Sequence, residues 1–186
     1  MKRDHIVINI VLLPLFIGLI HCVPSQKKNN DYLISFNDTI KDEYGYKNNK
    51  GEIIIPAGRY ARCFTDTFKI YAFVVKPNSG LFIAIDRQEN LLYEVFPFDN
   101  GPDEPSEGLF RIMSDKKIGY ADSLTGKVVI KPQFDCAWPF ENGVAEVSTG
   151  CKTQQDGEHS SWISDHWFYI DKTGKTVEKP LTTTLK

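Results

Sequence analysis

The sequence predicts an all-β protein, an array of antiparallel three-stranded meander repeats with about three complete copies and a partial fourth. Three observations carry this expectation. Ile118 to Val147 reads as one complete unit. In it, Ile118–Ala121 is an apolar-aromatic strand, Ser123–Gly126 a turn, Val128–Ile130 a β-branched strand, Pro132–Phe140 a loop and Val144–Val147 a third strand. The unit then recurs. Phe82–Asp86 aligns with Ile118–Asp122, and the same shift carries Phe98-Asp99 onto Phe134-Asp135. Upstream, Gly45-Tyr46 aligns with Gly119-Tyr120 and Ala72-Phe73-Val74 with Ala145-Glu146-Val147; downstream, Trp167–Lys175 repeats the opening. Self-similarity of this kind is the signature of repeat architectures. Finally, each first turn carries Gly or Asn at a matching place, Gly51, Asn90, Gly126 and Gly174, where a short hairpin needs positive φ.

Taken in order, residues 1–21 have the pattern of an export signal: a basic start at Lys2 and Arg3, an apolar run from Ile6 to Ile20, then His21-Cys22. The run is interrupted by Asn9 and Pro14 and falls short of the roughly 20 apolar residues of a spanning helix. Leu19-Ile20-His21-Cys22 resembles a bacterial lipobox, which implies lipidation of Cys22; His21 departs from the small residue usual there. Residues 22–43 then form a polar tether and an N-terminal strand at Tyr32–Phe36, read either as half of an unfinished unit or as a strand that closes the array onto its last copy. The repeat domain covers 44–186, with copies at about 44–76, 81–114, 117–150 and 166–181, and an insert at 151–165.

The shared residues resemble the bacterial WG-repeat (KWG-type) proteins. The matching positions are Gly119-Tyr120, Gly126-Lys127, Val129-Ile130, Phe134-Asp135 and Phe140–Val147. The family's leading Trp is replaced by Tyr44, Phe82 and Ile118 and survives at Trp167, and the second copy has Pro105 where the third has Phe140. The resemblance implies a non-catalytic interaction module.

The chain has no Gly-rich phosphate loop, Cys-x-x-Cys pair, His-Glu-x-x-His or Gly-x-Ser-x-Gly elbow. With 22 Lys and Arg against 24 Asp and Glu, and no basic stripe, nucleic acid is not an expected partner. Cys151, Asp156, Glu158, His159, Asp165 and His166 include metal-ligand types, but their spacing lacks the short fixed intervals of a closed site, so they read as a polar loop and no metal or cofactor is expected. Asp99–Glu104 clusters oxygens, yet Gly101 and Pro102 break the alternation a calcium loop needs.

Trp138, Trp162, His159 and His166 fall on loops and are the candidate binding residues. In an oxidising compartment Cys136 and Cys151 could pair at the base of the insert; the alternative is that these two and Cys63 are all free, buried thiols. Two function classes remain. One is an exported envelope module, membrane-anchored through Cys22 or secreted, presenting loops to a protein or other macromolecule. The other is a small metal-dependent or hydrolytic enzyme with its site at 151–166.

Overall fold

An Asn or Asp side chain opens each first turn, and it fixes where the strands of every unit begin and end. The computed structural model describes residues 32–157 and 159–179. Strand β1 (Leu33–Asp38) precedes a first unit of β2 (Glu43–Asn48), β3 (Ile53–Tyr60), β4 (Arg62–Cys63), β5 (Thr67–Phe68) and β6 (Tyr71–Val75). The second unit comprises β7 (Phe82–Asp86), β8 (Leu91–Val95), β9 (Pro97–Phe98), β10 (Gly101–Pro102) and β11 (Leu109–Ser114). The third comprises β12 (Lys117–Asp122), β13 (Val128–Phe134), β14 (Cys136–Ala137) and β15 (Val144–Ser148). A hairpin of β16 (Lys152–Asp156) and β17 (His159–Ile163) separates it from β18 (Phe168–Asp171) and β19 (Thr176–Val177). Among the described residues every regular element is a strand, and all named pairs are antiparallel.

The turns repeat one device. Asn48 Oδ1 accepts from the backbone N–H groups of Lys50 and Glu52, Asp86 from Gln88 and Asn90, Asp122 from Leu124 and Thr125, and Asp171 from Thr173 and Lys175. Short polar side chains mimic a backbone turn in this way. The left-handed residue follows at Gly51 (φ 84), Gly126 (φ 68) and Gly174 (φ 84). In the second unit it is Glu89 (φ 61), one residue ahead of the expected Asn90. The distance from Asp86 sets the place, and Asn90 instead closes the turn, its carbonyl accepting from Asp86 N and its amide donating to Asp86 Oδ2.

The middle strand of a unit is not a flat partner of its neighbours. Between Ile118↔Phe134 and Tyr120↔Ile130, one residue of β12, Gly119, faces three of β13, so β13 bulges across Gly119. A Cβ on Gly119 would lie 2.4 Å from the Ile130 carbonyl and 2.5 Å from Pro132 N, and one on Gly45 2.6 Å from the Ile55 carbonyl. Only glycine leaves the room. Pro132 lies in the bulged stretch, where a residue without an N–H removes no ladder bond. Past the bulge the chain changes sheet: Cys136 and Ala137 pair with Ser148 and Val147. The expected loop at Pro132–Phe140 is therefore strand over much of its length.

The second unit shows the converse. Ile83 stands where the first and third units have glycine; Ile83 and Ala84 pair in simple register with Glu94 and Tyr93, and the far end of β8 also pairs with β11. This merges two sheets into one of order β13-β12-β11-β8-β7-β6-β4, flanked by β3-β2-β1-β5 and β14-β15-β18-β19. β1 runs along β2 and touches β5 at Leu33 and Ile34, so it takes the place of a third strand ahead of the first unit, while β19 pairs with β18.

The interior is built from repeated positions. Tyr46 and Tyr120 are 0% and 1% exposed, and their hydroxyls donate to the carbonyls of Thr65 (2.9 Å) and Trp138 (2.6 Å). Burial raises both phenols above their ordinary range. Phe82 and Phe168, elsewhere on the corresponding first strands, are half-buried. Cys63 is a buried free thiol, pushed by desolvation up to about 11.

Candidate functional site: an aromatic cleft beside the insert

The insert is a hairpin, not a loop, in register from Lys152↔Ile163 to Asp156↔His159. Alternation puts Trp162 on one face of β17, where its half-buried ring packs edge-on between Phe96 (5.8 Å) and Trp138 (5.1 Å). The hairpin starts from a disulfide: Cys136 and Cys151 are bonded, with Cα atoms 5.8 Å apart. Trp138, two residues beyond Cys136, is thus backed by Trp162 from the insert.

Behind these rings lies a group with no signal in the sequence. Arg111 is 2% exposed and Asp103 3%. Asp103 Oδ2 accepts from Arg111 N at 2.7 Å and from its Nε at 3.1 Å, while Nη2 meets Oδ1. Nη1 donates to the Ala137 carbonyl at 3.2 Å, and the guanidinium lies 4.1 Å from the centre of the Phe96 ring. An ion pair this deep persists only when its remaining hydrogen-bonding capacity is met, and here the backbone and an aromatic face meet it. The oxygen-rich stretch at 99–104 thereby serves as the short β9–β10 turn and as a buried carboxylate for Arg111.

Trp138 is fixed on several sides. Its N–H donates to the Glu146 carbonyl at 2.9 Å, its own carbonyl accepts from Tyr120, and the preceding carbonyl accepts from Arg111. Yet its side is open, at 45% exposure. It borders a shallow cleft of about 380 Å³ with Pro139, Glu141, Asn142, Tyr169 and Lys179. Tyr169 donates to Glu146 Oε1 at 2.8 Å, and Lys179 Nζ stands 5.6 Å from the Tyr169 ring centre.

The rim is held as well. Asn142 (φ 53) and Gly143 (φ 82) form a two-residue turn closed by the Glu141–Val144 bridge, the left-handed pair typical of a type I′ hairpin. Gly143 N donates to Glu107 Oε2 at 3.0 Å, and Lys172 bonds the same carboxylate, holding Glu107 below the usual carboxylate range.

Of the other candidates, His166 is exposed, with its backbone N–H donating to Ser164 Oγ, and His159 sits in register with Asp156 at the far end of the hairpin. Among the described residues no three His, Cys, Asp or Glu side chains gather as a metal site, and Cys151 is used in the disulfide. Cys22 lies outside the described residues. The structure thus brings together Trp138, Trp162, Cys136 and Cys151. Arg111 and Asp103 were missed: Arg111 stands in β11 where β15 has the equally charged Glu146, so its residue type gives no hint of burial.

A family model described as WG containing repeat matches residues 44–65 and 118–150. These segments hold Gly45 and Gly119, the two glycines over which the middle strand bulges; the second unit, with Ile83 there, lies outside the match. Neither the curated proteins nor the solved structures gave a match. Over these two segments the chain is similar to WG-type repeats, and each segment holds a first strand and a second that bulges across its glycine.

Proposed function

We propose that this repeat module is a non-catalytic binding protein of the cell envelope, exported and anchored through lipid on Cys22, that engages another macromolecule with the Trp138 cleft. The observation that carries the reading is the contrast around Trp138. Its backbone is tied down at both ends and its ring is braced by Trp162, yet 45% of the residue faces solvent. A large rigid aromatic held open beside hydrogen-bonding side chains is the form a binding anchor takes, because little side-chain freedom is lost when a partner covers it.

The insert supports the cleft from behind and is not itself the anchor. Replacing residues 155–160 by Asn-Gly shortens the hairpin but keeps the Thr153↔Trp162 pair and the disulfide. That variant should retain whatever the wild type captures from envelope extract, whereas Trp138→Ala should lose it. Loss in the shortened variant with retention in Trp138→Ala would move the surface to the hairpin tip. For the anchor, Cys22→Ala should shift the protein from the membrane fraction to the soluble exported fraction. Absence of labelled fatty acid from the wild type would refute lipidation.

A further inference from the structure

We infer that the Trp138 cleft takes an uncharged pyranose unit of a polysaccharide, a reading that rests on the cleft being the binding surface and adds the class of its ligand. The balance of charge around the cleft argues for a neutral ligand. Glu141 and Glu146 would favour a cation, but Glu146 already accepts from the Tyr169 hydroxyl, and Lys179 already stands by the Tyr169 ring, where an incoming cation would sit. The protein's own ammonium therefore fills the cation position and offsets the carboxylates. What remains open is the indole of Trp138 with exposed Glu141 and Asn142 at the rim.

An indole face is apolar and carries negative quadrupole density; the C–H bonds on a pyranose face are its complement. Hydroxyls around the edge of the same sugar ring need acceptors and donors, which a carboxylate and a carboxamide supply. Few other neutral biological groups present an apolar face and a polar edge together.

The repeat adds that the ligand is a polymer. Phe64 holds in the first unit the place of Trp138 in the third: its N–H donates to the Phe73 carbonyl at 2.9 Å as that of Trp138 does to Glu146. It too borders a cleft, of about 460 Å³, with Phe98, Asn100 and Glu104. The two clefts share an aromatic at the same place in the repeat and differ in the rest of their lining; two such rings suit a chain of like units, whose second contact is intramolecular once the first has formed.

The test is calorimetric titration of the full chain with cellohexaose, chitohexaose and maltohexaose, with tryptophan fluorescence as a second readout. At least one should bind the wild type. Trp138→Ala should weaken that binding about 30-fold or more, as expected of a central aromatic anchor. Asn142→Gly, which keeps the left-handed turn while removing the carboxamide, and Glu141→Gln change exposed rim residues and guard against misfolding of the first variant; each should weaken binding several-fold with an unchanged melting temperature. If none of the three sugars binds, or if all three variants bind as the wild type does, the inference is overturned. If hexalysine binds instead and Glu141→Gln abolishes it, the ligand class is cationic and the inference is again overturned. Should the sugars fail while Trp138→Ala still loses capture from envelope extract, the binding surface stands and only its ligand class is wrong.

Discussion

Replacing Gly126 by alanine should destabilise the domain far more than the same change at Gly51, although each glycine is the left-handed residue of its turn. At Gly51 (φ 84) a new Cβ meets nothing within 4 Å, so the loss is the left-handed backbone alone, about 1 kcal/mol. At Gly126 (φ 68) the Cβ would lie 2.5 Å from Tyr71 Cδ1 and 2.9 Å from its Cγ. That ring cannot step aside freely: it stacks on Phe110 at 6.0 Å, tilts against Phe73 at 5.3 Å and donates its hydroxyl to the Ser123 carbonyl at 2.8 Å. Overpacking of this kind adds about 1–3 kcal/mol. The expected losses are about 1 kcal/mol at Gly51 and about 2–4 kcal/mol at Gly126, and each kcal/mol lowers Tm by about 2–4 °C at this size. Urea unfolding followed by tryptophan fluorescence and circular dichroism reads both. In a Tyr71→Ala background the excess at Gly126 should vanish, leaving the backbone part. Equal losses at the two glycines, or an excess that survives removal of Tyr71, would refute the reasoning.

Three further outcomes follow from the same structure. Gly119→Ala should cost about 4 kcal/mol or more, because the obstructing atoms belong to the Ile130–Pro132 backbone and cannot rotate away; a folded variant of near-normal Tm would remove the bulge from the account. Reducing the Cys136–Cys151 bond, or replacing both cysteines by serine, should cost up to about 3 kcal/mol for a sequence separation of 15 and red-shift tryptophan emission as Trp138 and Trp162 loosen; an unchanged spectrum would detach the disulfide from the cleft. Burial raises Cys63 from 9.0 to about 11 and Tyr60 from 10.0 to about 12. Groups whose folded pKa is raised lend stability below the unfolded value and lose it as pH rises through the folded one. Urea midpoints should therefore fall between about pH 9 and pH 12 as the unfolded chain ionises first, and a flat profile there would contradict the burial of these groups.

Much of the fold was legible because it repeats. Ile118–Val147 gave the unit, and its strands at 118–121, 128–130 and 144–147 lie within β12, β13 and β15. What failed was whatever depends on one chain segment crossing another. Asn90 was placed by residue type, since Gly and Asn tolerate positive φ, but the turn is measured from the capping side chain; counting from Asp86 as from Asn48 and Asp171 reaches Glu89. Gly119 read as a family residue, while its mechanical reason, a carbonyl 2.4 Å from where a Cβ would stand, appears only once β13 is folded over β12. The insert hid its hairpin because Lys152–Asp156 has no apolar alternation, and Trp162 is its main large ring. Arg111 and Asp103 lie 8 positions apart with nothing local to mark them as a buried pair.

The central claim is that the exposed indole of Trp138 is where this module meets its partner, and the indole N–H signals of Trp138, Trp162 and Trp167 test it most directly. Recorded in ¹⁵N–¹H spectra as cleared envelope extract is added, the Trp138 signal should shift or broaden first, Trp162 should follow through its edge contact, and Trp167, which does not line the cleft, should stay in place. A partner that binds while Trp138 remains unmoved, or that perturbs Trp167 alone, would contradict the account.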